Sequence, residues 1–170
     1  MFSRKFLGIA IAAALFGGLS AAGAADKASE KFLKEAVEGN LAEVQVGQLA
    51  QQKGQSDGVK KFGEQLQKDH SAANEKVTAL ANKLGVTPPT EPSKKHKAIH
   101  DRLGKLSGPA FDKAFAQAMV ADHKEDIRMF EKQAKKKNDP TADLANEILP
   151  DLRKHLEMAQ SLAKETQARR

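Results

Sequence analysis

The sequence contains no cysteine, tryptophan or tyrosine among its 170 residues, and its eight aromatic side chains are all phenylalanine. Without a thiol, the chain can form no disulfide, thiolate metal site, cysteine nucleophile or lipid-modified cysteine. Without tryptophan and tyrosine, and with its phenylalanines on predicted core faces, it lacks the stacking surfaces typical of single-strand binders. We therefore expect no nucleic-acid partner, although the formal net charge is +6.

One long apolar run stands at the beginning of the chain. Arg4 and Lys5 precede an apolar segment over residues 6–19, and the small residues at 22–24 resemble a cleavage signal. This pattern predicts a secretory signal peptide, residues 1–25, whose apolar part is too short to serve as a membrane anchor. We expect cleavage to leave a periplasmic single domain, residues 26–170, that is not transmembrane. Association with the outer membrane has no support in the residues themselves.

The mature chain reads as a series of amphipathic helices. Apolar residues recur at helical spacing over four segments. Ser56 or Asp57 is expected to cap the second helix, Ser107 the third and Asp139 the fourth, while Gly85 suits the end of the second. Pro150 predicts a kink or a break in the fourth helix. The predicted helices span residues 29–53, 59–84, 108–137 and 140 onward.

The connections between these helices predict the fold. Short turns join the first helix to the second and the third to the fourth, whereas residues 86–107 form a long crossover with a short helix after Ser93. This organisation is typical of a four-helix bundle built from two antiparallel hairpins. We therefore predict an all-α fold.

Each of the four helices carries a polar residue within its apolar arc. On a helix that rises 1.5 Å per residue, these residues lie at levels that agree to roughly 5 Å within each hairpin. Asn40 is a second polar residue on the first helix. The four candidate ligands of one metal ion are Glu43, His70, His123 and His155, and Asp69, Asp122 and Asp126 could orient them.

Two interpretations of this polar layer remain open. Imidazole and carboxylate groups could bind one transition-metal ion, with zinc, copper, iron and manganese as candidates. Met119 and Met158 would favour copper if their thioethers turned towards the histidines. Alternatively, the histidines could pair with carboxylates and specify helix packing without a metal. His96 and His100 form a separate pair on the crossover, which we interpret as an adventitious or solvent-exposed pair.

Five short motifs resemble a bacterial envelope family of unknown function whose members are often labelled outer-membrane or exported proteins. The resemblance covers residues 29–163 and implies a ferritin-like four-helix bundle, without an assigned activity. The ferritin-like di-iron pattern requires Glu-x-x-His on two helices. Here Gln67, Val120 and Leu152 precede the three histidines at that spacing. The motifs are 41–44 (LAEV), 68–70 (KDH), 108–112 (GPAFD), 121–123 (ADH) and 149–156 (LPDLRKHL).

Three functions follow from this reading. We expect first a periplasmic ferritin-like bundle that binds one transition-metal ion for metal handling or stress protection. The alternative is a non-catalytic envelope protein with a structural His–carboxylate network and a surface for an envelope protein partner. A metal-dependent oxidoreductase is the third, weakened by the missing Glu-x-x-His motifs. We assign no catalytic residue and favour a protein that is not an enzyme.

Overall fold

The computed structural model of the protein describes residues 24–168. Within that range it contains five α-helices and no strand. The predicted fold class is confirmed: four long helices form two hairpins, and a short fifth helix lies in the long crossover between them. Almost all of the predicted signal peptide lies outside the described residues. The helices are α1 (Lys27–Lys53), α2 (Asp57–Lys83), α3 (Lys94–Gly104), α4 (Gly108–Gln133) and α5 (Pro140–Ala168).

Short polar side chains mark the beginnings of several helices. Asp26 accepts a hydrogen bond from the Ser29 amide at 2.7 Å and caps α1, and Ser56 caps α2 as predicted. Gly85 has φ 74°, which suits the left-handed position after a helix. Ser107 occupies the N-cap position of α4 as predicted, but its side chain makes no cap hydrogen bond.

Two further predictions concern the ends and continuity of helices. The third long helix, α4, ends at Gln133, four residues before the predicted position at 137. Beyond it the chain turns, and Asn138 adopts φ 54°, a conformation that asparagine tolerates better than most residues. Pro150 lies inside α5, which continues across it as one helix, so the predicted break is absent there.

The first hairpin packs its two helices unusually closely. A Cβ atom at Gly47 would lie 2.6 Å from the Gly63 carbonyl oxygen, and one at Gly63 would lie 2.6 Å from the Gly47 carbonyl oxygen. Glycine at both positions therefore lets the backbones of α1 and α2 approach where they cross. This approach brings the polar residues of both helices within reach of each other.

Contacts between the hairpins define the helix directions. Phe32, near the start of α1, packs edge to face on Phe130 near the end of α4, with ring centroids 5.0 Å apart. Lys76, late in α2, pairs at 2.6 Å with Glu147, early in α5. Neighbouring helices across the two hairpins therefore run antiparallel. The crossover must span the length of the bundle, and its helix α3 packs on α1 and α4.

The apolar core is divided into two clusters by a polar layer. One cluster lies around Phe32 and Phe130, and the other around Phe62, Phe111 and Phe115. Between them, each long helix contributes at least one buried polar side chain. The polar layer comprises Asn40, Glu43, His70, His123 and His155, all less than a tenth exposed.

Candidate metal centre

Three histidines from three helices meet in the polar layer. The ring centroids of His70 and His123 are 5.7 Å apart, those of His70 and His155 5.3 Å, and those of His123 and His155 5.4 Å. Each ring offers a nitrogen, and the three nitrogens lie within 4.8 Å of one another. Imidazoles that bind one ion at about 2.0–2.1 Å place their ring centres roughly 5 to 5.6 Å apart. The spacing of the three rings, the histidine triad, therefore suits a single ion.

One nitrogen of each ring is held from outside the triad. His70 Nδ1 donates to Asn40 Oδ1 at 2.9 Å, and His123 Nδ1 donates to the Met119 carbonyl oxygen at 3.1 Å. His155 Nε2 donates to Asp69 Oδ2 at 2.9 Å. A carbonyl and a carboxylate can only accept, so the ring proton stands on the outer nitrogen of His123 and His155. These contacts orient the rings and set their tautomers.

The other nitrogen of each ring has no hydrogen-bond partner among residues 24–168. These atoms are His70 Nε2, His123 Nε2 and His155 Nδ1, and all three are buried. In a neutral imidazole, the nitrogen without a proton carries a lone pair. Burying such an acceptor without a donor costs free energy, on the order of 1–3 kcal/mol per group. The triad thus presents three buried lone pairs where a cation could accept them.

Protonation is an unfavourable way to satisfy the unpaired nitrogens of His70 and His123. Burial, with the neighbouring histidines, holds the pKa of His70 well below its usual value. Burial likewise lowers the pKa of His123 to about 4, although Asp122 opposes the shift. The Asp69 carboxylate is ionised, because hydrogen bonds from Gln65 and His155 overcome the effect of its partial burial and lower its pKa. At neutral pH, His70 and His123 are therefore neutral.

A second polar group adjoins the triad through His123. Ligand atoms of Glu43, Asp122 and His123 lie within 4.8 Å of one another. Burial and the nearby Asp122 and Asp126 carboxylates raise the pKa of Glu43 well above its usual value. Burial, with Asp122 and Glu125, raises the pKa of Asp126 in the same way. Carboxylates are thus concentrated on one side of the triad, where they repel one another.

The chain matches a known protein family over most of its length. The family model described as a domain of unknown function (DUF4142) matches residues 17–162. The chain belongs to the DUF4142 family. The expectation of a family of unknown function is therefore confirmed, whereas its ferritin-like grouping and envelope location stay predictions. No curated protein matches this DUF4142 chain at a significant level.

A solved structure shares the fold of the DUF4142 chain. It is the crystal structure of a DUF305 fragment from Deinococcus radiodurans, with a TM-score of 0.74 and 14% sequence identity. The similarity covers 84% of this chain and 99% of the fragment. At this identity the match supports the helical fold alone. In the part of the DUF4142 chain that the structure describes, no helix has the length and apolarity required to cross a membrane.

The structure separates the four predicted ligands of the DUF4142 chain into two groups. His70, His123 and His155 come together, whereas Glu43 joins Asp122 and His123 in the adjoining group. Glu43 therefore faces the triad from the His123 side. Helix periodicity places all four in the same layer, but it leaves open which side chains point towards each other.

The predicted orienting carboxylates take different places. Asp69 holds His155 on the opposite hairpin rather than its neighbour His70. Asp122 and Asp126 lie beside Glu43 on the carboxylate side. Asn40, which the sequence marks as a polar interruption, provides the hydrogen bond to His70.

The interpretation of His96 as an exposed residue is wrong. Its side chain is 18% exposed, and its Nε2 lies 3.9 Å from Asp122 Oδ1. Ser93 Oγ lies 3.1 Å from its Nδ1. A signal for this position exists in the sequence, because His96 precedes Ile99 by three residues and so shares the inward face of α3. His100 is more exposed, with 37% of its side chain accessible.

Proposed function

We propose that this chain is an exported metal-binding protein that holds one transition-metal ion at the histidine triad. The observation that carries the proposal is the set of three buried ring nitrogens that converge without a hydrogen-bond partner among the described residues. A purely structural network would be expected to satisfy its buried acceptors. A bound ion would satisfy all three at once.

The hydrogen bonds outside the triad support a metal-binding role. Metal-binding histidines commonly donate a hydrogen bond from their second ring nitrogen to a carboxylate or a backbone carbonyl. His155 does so to Asp69, and His123 does so to the Met119 carbonyl. These partners fix the rings in position before an ion arrives, so less conformational entropy is lost on binding.

The donor set favours copper or zinc among the candidate ions. Three imidazoles suit zinc, copper, iron and nickel, and affinity for a given nitrogen site rises towards copper in the divalent series. Phe62 packs beside the triad, with its ring centroid 6.0 Å from that of His155 and 6.5 Å from that of His123. This apolar wall limits water at the site. The ionised Asp69 behind His155 supplies negative charge that offsets part of the cost of burying a cation.

A small cavity between α2 and α5 offers a route to the triad. It has a volume of about 80 Å³, and its lining includes both His70 and His155. Lys76 and Glu147, which form an exposed ion pair, line the same cavity. An ion could therefore reach two of the three histidines by displacing a surface ion pair, which costs little free energy.

The biological role that we propose is metal handling or stress protection in the periplasm. The predicted signal peptide supports export, and the enclosed site supports holding an ion rather than turning over a large substrate. The function of an oxidoreductase has less support, because the Glu-x-x-His pairs of the di-iron pattern are absent from the sequence.

A structural role for the same histidines is the second candidate. The bond from His70 to Asn40 joins α2 to α1, and the bond from His155 to Asp69 joins α5 to α2. Such bonds specify helix pairing whether or not a metal is present. In that case, replacement of the histidines would lower stability in a chelator as well as in the presence of metal.

Metal titration of the mature, untagged protein tests the proposal. We expect one equivalent of copper or zinc to bind, and we expect free metal at about 100 times its dissociation constant to stabilise the fold by about 2.7 kcal/mol. His100→Ala, on the exposed side of α3, serves as the control and should bind metal like the unaltered protein. Absence of binding at micromolar metal, with no change in melting temperature, would overturn the proposal.

A further inference from the structure

A pocket lined by carboxylates opens on the side of the bundle that α3 covers. Its volume is about 300 Å³, and α1, α3 and α4 all contribute to its lining. The protein as a whole is basic, with a formal charge of +6, so this concentration of acidic groups contrasts with the rest of the chain. The lining carboxylates are Glu35, Glu38, Asp122, Glu125 and Asp126.

The basic groups of this pocket do not neutralise its inner end. Lys95 Nζ pairs with Glu125 Oε2 at 2.6 Å, where both side chains are more than half exposed. His96 is the other basic side chain among the described lining residues. It faces Asp122 at 3.9 Å and lies deeper than Lys95. The inner carboxylates therefore outnumber the cationic groups that could pair with them.

Glu43 lies behind this pocket with an unsatisfied carboxylate oxygen. It is 3% exposed, and its Oε2 is buried with no hydrogen-bond partner in residues 24–168. A narrow cavity of about 10 Å³ is lined by Glu43, His96 and Asp122. That volume is near the lower limit for one water molecule, and a single ion is of similar size. The unsatisfied oxygen and the acidic pocket are independent observations that indicate the same ligand, a cation.

We infer that Glu43 and Asp122 hold a second cation, distinct from one at the centre of the histidine triad, in the narrow cavity whose wall includes His96. This site would be selective for a divalent ion that prefers oxygen ligands. Two carboxylates and one imidazole suit Mn²⁺ or Fe²⁺ better than a site of three imidazoles does. Asp126 lies close enough to influence Glu43 and adds negative charge beside the ion. The larger acidic pocket would attract cations from solvent towards the inner site.

His96 adds an imidazole to the wall of this site. Ser93 Oγ can accept a hydrogen bond from the Nδ1–H group of His96, and this tautomer leaves the Nε2 lone pair facing Asp122. The histidine comes from α3 rather than from one of the four long helices. The crossover therefore contributes a side chain to the site as well as spanning the bundle, and this inference stands whether or not the triad holds an ion.

Titration with Mn²⁺ tests the inference, because Mn²⁺ is the candidate ion that three imidazoles favour least. The sample is the full mature chain, treated with chelator, and bound Mn²⁺ is measured by electron paramagnetic resonance. We expect Glu43→Gln to weaken Mn²⁺ binding at least about 10-fold, and His96→Ala to do the same. Glu64→Gln, an exposed carboxylate on α2, is the matched control and should leave binding unchanged.

Variants of the triad separate the two sites. His155→Ala should weaken copper or zinc binding there about 1,000-fold and leave Mn²⁺ affinity within about 2-fold of the unaltered protein. Asp122→Asn provides a second test of the carboxylate site should Glu43→Gln alter folding. Equal Mn²⁺ affinity of Glu43→Gln, Asp122→Asn and the unaltered protein would overturn the inference. Loss of Mn²⁺ binding in His155→Ala, with retention in Glu43→Gln, would also overturn it.

Discussion

The two sides of the polar layer differ in how their buried polar groups are paired. On the triad side, every ring has one satisfied nitrogen, and the unsatisfied nitrogens point towards a common centre. On the carboxylate side, like charges are crowded together, and Glu43 and Asp126 keep their protons more readily as a result. The triad is therefore organised without an ion, whereas a cation would relieve the repulsion among the carboxylates. His123 belongs to both groups and connects them.

Removal of a triad histidine should produce the largest effect. We expect His155→Ala to weaken copper or zinc binding about 1,000-fold, because the ion loses one of three ligands and water takes its place. Competition with a chromophoric chelator measures the affinity. A loss of less than about 10-fold would mean that the ion binds elsewhere, and the exposed His100→Ala provides the control.

Acid should weaken the fold through the triad when no metal is bound. The folded pKa of His123 lies at about 4, below its unfolded value of 6.5. Its contribution to stability is therefore fully present above pH 6.5 and is lost as the pH falls towards 4. We expect a loss of up to about 3 kcal/mol from this residue, measured by urea unfolding in a chelator.

The His123→Gln variant sharpens the pH experiment. Glutamine does not titrate, so the fall in unfolding free energy between pH 6.5 and 4 should become shallower. The buried carboxylates change stability with pH in the opposite direction. The raised folded pKa of Glu43 gives stability below pH 4.5 that is lost as the pH rises. Parallel pH profiles for His123→Gln and the unaltered protein would show that His123 is not the titrating group.

Loss of the outer carboxylate should have a smaller effect than loss of a ligand. Asp69→Ala removes the acceptor that holds His155 in its tautomer. We expect metal affinity to fall about 10- to 100-fold, as for other groups that orient a metal-binding histidine. Asp101→Ala, which removes an exposed carboxylate on α3, should leave affinity unchanged. An equal effect of both replacements would contradict a role for the Asp69 contact.

Replacement of the buried glutamate should give the smallest change in stability, and it should stabilise the fold rather than weaken it. Glu43→Gln keeps the size of the side chain and removes the charge that Asp122 and Asp126 oppose. At pH 8 without metal, we expect it to stabilise the fold by about 1 kcal/mol. Thermal and urea unfolding measure the change. Destabilisation by a similar amount would show that the Glu43 carboxylate makes a favourable interaction in the metal-free protein.

Much of the fold follows from local features of the sequence. The helical spacing of apolar residues, the caps at Ser56 and Asp139 and the turn at Gly85 each act within a few residues. The end of α4 is less predictable, since lysines at 135–137 continue a helical pattern that the turn before Asn138 interrupts. Helix ends depend on a few kilocalories of competing local interactions, so such errors are expected.

Periodicity and helical rise are local properties, so the sequence alone was enough to place each triad histidine inside an apolar arc and near the middle of its helix. The partners that those side chains meet depend on the tertiary structure. It joined Asp69 to His155 across the hairpins, turned His96 towards Asp122, and placed Glu43 with the carboxylates rather than within the triad. These outcomes depend on the rotation and separation of packed helices, which arise from many contacts between residues distant in the chain.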